Sequence, residues 1–246
     1  MRRLVLAVAI ASLLGAAVGA AQADDADTVH YPNLRTLTPS NIKVQRDRAT
    51  GTKLLRFSNT VANLGDGRLE LRSENDPITG TTQAYQRLYS HDSNGNWYLS
   101  GETLVGNFRF HVAHNHWHFE DFAVYELRDV ADDGGVGGVL RSTEKVTFCI
   151  IDTGLFDASL EHATGPTYSS CGPSATQGLS VGWGDKYTWN LAGQSIDITD
   201  VPNGDYWLVS TADPEHLIDE GGGARETNNT AAAKIRLRGN GVRVLP

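Results

Sequence analysis

Lys53-Leu-Leu-Arg-Phe57, Asn63-Leu-Gly-Asp-Gly67 and Arg68-Leu-Glu-Leu-Arg72 succeed one another closely along the chain. The first and last are short apolar runs with β-type alternation, and the asparagine, aspartate and glycines between them are turn formers. The same alternation of run and turn continues outward. Asn96-Trp-Tyr-Leu99 comes after Ser93-Asn-Gly95, and Phe108-Arg-Phe110, Val146-Thr-Phe-Cys-Ile-Ile151, Tyr206-Trp-Leu-Val-Ser210 and Ala233-Lys-Ile-Arg-Leu237 repeat the pattern. The 26 glycines are spread along the chain, and beyond the N-terminal run no long segment holds a 3.6-residue apolar period. These features predict an all-β chain, an antiparallel β-sandwich with long loops and little helix.

Arg2 and Arg3 precede an apolar run from Leu4 to Ala20 and the small-residue pattern Ala21-Gln22-Ala23. That order predicts a signal peptide over residues 1–23 and a product that is secreted, extracellular or held in the periplasm or at the cell surface. An uncleaved N-terminal anchor is the rival reading. No later stretch reaches the ~18 to 20 apolar residues of a membrane span, so no membrane partner is expected. No Pro/Ser-rich linker, charge block or repeat divides residues 24–246, which read as a single domain.

The net charge is −8, and the signal peptide would remove two basic residues and no acidic one. Nucleic acid is excluded as a partner by this balance. An acidic surface attracts cationic ligands such as amines, although acidity also serves plain solubility. The two thiols, Cys149 and Cys171, predict one disulfide in an exported chain; a catalytic or metal-binding pair is the alternative, without CxxC spacing to support it.

Chemistry concentrates in His111-Val-Ala-His-Asn-His-Trp-His-Phe-Glu-Asp-Phe122, where His114, His116 and His118 alternate. On an extended strand the three imidazoles leave one face, with Trp117 and Phe119 turned to the core. Alternate Cα atoms are roughly 6.5 to 7 Å apart, so the strand must bend for the rings to share an ion. Imidazole suits copper, zinc, iron or nickel alike, and three nitrogen ligands without thiolate leave positions open for a reacting group. Solvated or core histidines are the bland reading.

Together with the motifs downstream of it, this histidine segment resembles the catalytic domain of the lysyl oxidases, whose copper motif is His-x-His-x-His preceded by a further histidine, matched here by His111. Glu144-Lys-Val-Thr-Phe-Cys-Ile-Ile-Asp-Thr153 resembles the segment that carries the family's quinone lysine, which points to Lys145. Thr176-Gln-Gly-Leu-Ser-Val-Gly-Trp-Gly-Asp-Lys-Tyr187 is similar to the segment ending in the quinone tyrosine, which points to Tyr187. Ile196-Asp-Ile-Thr-Asp-Val-Pro-Asn-Gly-Asp-Tyr206 and the Asn228-Asn229 pair continue the match. Taken alone, Lys145 is a surface lysine and Tyr187 a core aromatic.

The resemblance implies copper held by His114, His116 and His118, and a lysine tyrosylquinone made from Lys145 and Tyr187. It implies oxidative deamination of a primary amine, peptidyl lysine or a small amine, by dioxygen to an aldehyde, with release of hydrogen peroxide and ammonia. A catalytic base is required, and Asp121, Asp152, Asp197, Asp200 and His111 are its candidates. Asn33, Leu34, Glu226, Asn228 and Asn229 resemble a pair of calcium-binding segments, though an asparagine turn explains them equally well. Asn228-Asn-Thr230 is also a glycosylation sequon, meaningful only in a glycosylating host. Departures from the animal pattern are Ala113 in place of a cysteine, Val124 in place of a histidine, Asn33 in place of an aspartate, and the Gly221-Gly-Gly223 run. A non-catalytic secreted β-sandwich that binds copper or zinc is the alternative function, one that needs neither Lys145 nor Tyr187.

Overall fold

The computed structural model describes residues 27–75, 81–112, 114–144, 146–172 and 174–246. The signal peptide expected over 1–23, Ala113 and Lys145 lie outside them. Among the described residues every regular element is a strand, and no helix is long and apolar enough to cross a membrane.

Two antiparallel sheets face each other, as the sequence predicts. The smaller is built on β3 (Lys53–Asn63), which pairs with β1 (Leu34–Thr36), β2 (Ser40–Arg46), β12 (Trp183–Tyr187) and β13 (Ser195–Asp197), while β10 (Gly154–Leu155) extends β12. The larger runs in the order β11 (Gln177–Leu179), β4 (Leu69–Asn75), β5 (Thr82–His91), β6 (Trp97–His111), β7 (His116–Val130), β14 (Gly204–Ala212), β15 (Thr230–Arg238) and β16 (Gly241–Val244). Two short strands, β8 (Val136–Ser142) and β9 (Val146–Phe148), also pair with β7.

The runs Lys53–Phe57 and Arg68–Arg72 enter β3 and β4, one in each sheet, so the turn at 63–67 passes the chain between layers. Its glycines are required by close approach: a Cβ on Gly67 would meet the His30 carbonyl oxygen, and one on Gly65 the Tyr31 carbonyl oxygen. Period-two burial is clearest in β15, where Ala233, Ile235 and Leu237 are buried and the residues between them are partly exposed.

A continuous apolar core lies between the layers. Leu55, Phe57 and Val61 of the smaller sheet face Phe119, Tyr125, Leu127 and Leu208 of the larger, and the rings of Phe57 and Tyr125 meet edge-on at 4.8 Å. A buried polar tie crosses the same gap, with Ser210 Oγ donating to Asn59 Oδ1 at 2.9 Å.

Cys149 and Cys171 are joined in a disulfide, with Cα atoms 5.8 Å apart. The expected pairing is therefore borne out. The bridge closes the long loop between β9 and β11 against β7, where Trp117 N donates to Cys171 O. Replacing both cysteines by serine is expected to lower the unfolding free energy by about 3 kcal/mol, the loop-closure entropy for a 22-residue separation. Denaturant unfolding of the oxidised parent and the double variant measures the difference.

Candidate metal centre

The histidines gather at a hairpin rather than along the extended strand that their alternation suggests. His111 ends β6, His116 begins β7, and the two are register partners. Between them the chain turns sharply: His114 N and Asn115 N both donate to His111 O, and Asn115 takes φ 57°, a left-handed conformation that asparagine tolerates. The turn solves the spacing problem of a straight strand by folding His114 back over β7. Of the two residues expected on the core side, Phe119 is fully buried and Trp117 partly so.

His118 is the centre of the group and is buried. Its Nε2 lies 2.9 Å from His116 Nε2 and 3.3 Å from His114 Nδ1. Two nitrogens each about 2.0 Å from one ion stand roughly 2.8 Å apart at a right angle and roughly 3.3 Å apart at the tetrahedral angle. The separations are those of adjacent ligands. His111, which the sequence marked as the preceding histidine, stacks on His118 at 4.7 Å, and His111, His114 and His118 each offer a ligand atom within 4.8 Å of the others.

Opposed lone pairs repel unless a proton or a cation lies between them, and protonation is disfavoured. Burial, reinforced by His111, His116 and His114, pushes His118 down to about 3. Burial also lowers His114 and His116, with the charge of His111 the next cause in each case. Neutral imidazoles are the form that metals bind. His118 Nδ1 is meanwhile 2.9 Å from Thr147 Oγ1 of β9, the outer hydrogen bond that orients a ligating imidazole. The group can hold a metal.

Tyr187 reaches this centre from the opposite sheet, at the end of β12. Its buried hydroxyl accepts from Cys149 N at 2.8 Å and can donate to Cys149 O at 3.3 Å, while its ring lies 4.0 Å from that of Phe148. Burial, then the charge of Asp185, raises the phenol far above its ordinary range. Tyr187, His111, His114 and His118 line one cavity of about 570 Å³ together with Glu144, Val146 and Thr147. Lys145 is outside the described residues, but its two chain neighbours line the same space.

The base candidates separate clearly. Asp152 is committed to Thr167 N, Tyr168 N, Ser180 N and the Ser180 hydroxyl, so its role is to hold the loop. Asp197 lines the cavity's rim and caps Thr199 N. Asp200 is exposed, and Asp121 takes φ 57° on β7 without lining the cavity. Sequence reasoning missed Asp185. It sits two residues before Tyr187 on β12, fully buried, with Oδ2 lacking a hydrogen-bond partner, and burial raises its carboxyl well above the usual range. A second cavity, of about 350 Å³, brings it together with Tyr187, His114 and His116. The i, i+2 spacing within a strand was the available signal.

The calcium reading finds no support. Asn33, Asn228 and Asn229 each keep a buried side-chain oxygen without a partner, but the carboxylates that a dication needs are committed. Glu220 accepts from Leu34 N and from Asn229 Nδ2, and Glu226 accepts from Glu220 N and faces His216. Among the described residues the histidine group alone brings three His, Cys, Asp or Glu side chains close enough to share an ion.

Comparison with known proteins agrees with this geometry. The family model described as lysyl oxidase matches residues 90–245. Over 135 residues the chain is 30% identical to the protein-lysine 6-oxidase of Sus scrofa, covering 54% of this chain and 49% of that one. It is 32% identical over 131 residues to lysyl oxidase homolog 1 of Homo sapiens, which covers 53% of this chain and 20% of that one. With lysyl oxidase homolog 2 of Bos taurus it shares 28% identity over 167 residues, 66% of this chain and 20% of the relative. The matched part thus spans about half of the first relative and a fifth of the other two.

Proposed function

The chain belongs to the lysyl oxidase family, and from that premise we propose that it is a copper-dependent amine oxidase that converts a primary amine, peptidyl lysine or a small amine, to an aldehyde. The observation that carries this reading is the cavity on which Tyr187 and three histidines open together. A metal-binding module has no use for a buried tyrosine there.

His114, His116 and His118 are the proposed copper ligands, with His111 stacked against them, and Tyr187 and Lys145 are the proposed precursors of a lysine tyrosylquinone. When bound, copper supplies a redox-active Lewis acid and the quinone an electrophilic carbonyl and electron sink; dioxygen is the final acceptor, yielding peroxide and ammonia. The protein's own contribution is positional. Cys149 backbone groups fix the Tyr187 hydroxyl, Phe148 fixes its ring plane, and Thr147 fixes the His118 ring.

Asp185 is the proposed base that takes the proton from the amine-bearing carbon. Its raised pKa brings it nearer the working pH of a general base, and it must be ionised to act. Activity should therefore rise with pH through a value above the usual carboxylate range. Asp185→Asn is expected to lower kcat by about 10²- to 10⁴-fold and to flatten that acid limb while copper content stays normal. An unchanged pH profile in the variant assigns the base elsewhere.

The disulfide supports export to an oxidising compartment. The oxidase reading is tested by copper-loading the protein in air and measuring peroxide released from a lysine-containing peptide and from a diamine.

A further inference from the structure

One wall of the cavity that holds Tyr187 and the histidines is a continuous stretch, residues 192–197, which leads from the loop after β12 into β13. β12 and β13 both pair with β3, Tyr187 opposite Asn59 and Ser195 opposite Arg56, so the chain leaves Tyr187 and returns about 10 Å along β3. Arg56 Nη1 fixes the intervening loop by donating to the carbonyls of Trp189 and Leu191, each at 3.2 Å. Gly193, at φ 81°, makes the turn that leads into Gln194.

Gln194 is 1% exposed, and its amide is engaged at one end only. Nε2 donates to the hydroxyl of the core residue Tyr125 at 2.9 Å, while Oε1 is buried without a hydrogen-bond partner among the described residues. Buried acceptors are nearly always paired, so an unpaired one in a cavity wall marks where a donor belongs. The bond to Tyr125 holds the amide in place before any ligand arrives. We propose that Gln194 Oε1 accepts a hydrogen bond from the nitrogen of the amine substrate, which makes Gln194 a substrate-binding residue. The inference rests on the oxidase reading above.

Two features of the same cavity set the class of amine. Ala192, Gly193 and Ser195, on either side of Gln194, are small, so a slender, unbranched alkyl chain is what can reach its oxygen. Glu144 and Asp197 line the cavity with carboxyl side chains, and hydrogen bonds from Thr199 Oγ1 and Thr199 N hold Asp197 below the usual carboxylate range. Arg109, the arginine on the same lining, is taken up by Glu120 at 2.6 Å. The cavity therefore favours a cation, and an alkylammonium brings charged N–H donors to the acceptor that Gln194 offers. An amide oxygen does not remove the proton. Gln194 orients the nitrogen and leaves proton transfer to the base.

The test compares the parent with Gln194→Met, which keeps the side-chain length and removes the acceptor, and with Gln194→Glu, which keeps an acceptor and adds a charge. The probe is n-butylamine, which carries no amide group. Peroxide release is read together with copper content and quinone staining of the same samples. Gln194→Met is expected to raise KM for n-butylamine about 10- to 100-fold, the size of one hydrogen bond to a charged donor, with a much smaller change in kcat. Gln194→Glu is expected to lower KM. Calorimetric titration of the copper-free proteins with n-butylamine, where no turnover occurs, should give the same order of affinities. An equal KM in the parent and in stained, copper-loaded Gln194→Met overturns the proposal, as does a loss of kcat alone, the outcome of a purely structural tie to Tyr125. An effect seen with a lysine-containing peptide but not with n-butylamine assigns the oxygen to a backbone amide and overturns it too. If Gln194→Met does not fold, Gln194→Glu decides, and an unchanged KM there is the contrary result. A parent that releases no peroxide refutes the oxidase reading instead; the titration then still tests Gln194, and equal affinity in parent and variants overturns its role.

Discussion

Tyr187→Phe and Lys145→Arg are each expected to abolish amine-dependent peroxide release while leaving a folded, copper-binding protein. In Tyr187→Phe the ring still packs on Phe148, and what is lost is the hydroxyl that joins Cys149 N. Leaving that buried N–H without a partner costs about 1–3 kcal/mol, less than the stability of an ordinary domain. The phenol oxygen, however, is the atom a quinone requires. In Lys145→Arg the charge and most of the length remain, but a guanidinium is never neutral enough to be joined to an oxidised tyrosine ring. Peroxide assays on lysine peptide and diamine, with copper content measured on the same samples, read both effects. Full activity in either variant excludes the proposed cofactor.

His118→Ala is expected to remove copper altogether, and with it every later step. Its ring nitrogen is the one that faces both His114 and His116, and it is the most buried of the cluster. Removing a ligand should exceed the effect of removing its orienting partner. Thr147→Ala, which deletes only the hydrogen bond to His118 Nδ1, is therefore expected to weaken copper binding by about 10- to 100-fold. The two variants measured side by side by competition with a chelator give the comparison. Copper retained at the parent's affinity in His118→Ala would refute the ligand assignment.

The strands were legible because their cause is local: the alternation in Arg68–Arg72 and Ala233–Leu237 and the turn formers around them act within a few residues. The histidine motif was legible as a metal signal but not as a shape. A straight strand through 114–118 was the simplest reading, whereas the left-handed Asn115 makes a hairpin turn that adds His111 to the group. Asp185 escaped because its i, i+2 spacing from Tyr187 signals a shared strand face but not burial, which comes only with the tertiary fold. Glu220, which ties Leu34 to Asn229, escaped because it lies in a loop and one of its partners is 186 residues away.

The central claim is that Tyr187 beside this histidine centre becomes a redox cofactor. A quinone redox-cycling stain of the denatured protein, after copper loading in air, tests it most directly. Staining of the parent, with none in Tyr187→Phe, is the predicted result. A parent that binds copper at the histidines yet neither stains nor releases peroxide would contradict the account and leave a metal-binding β-sandwich in its place.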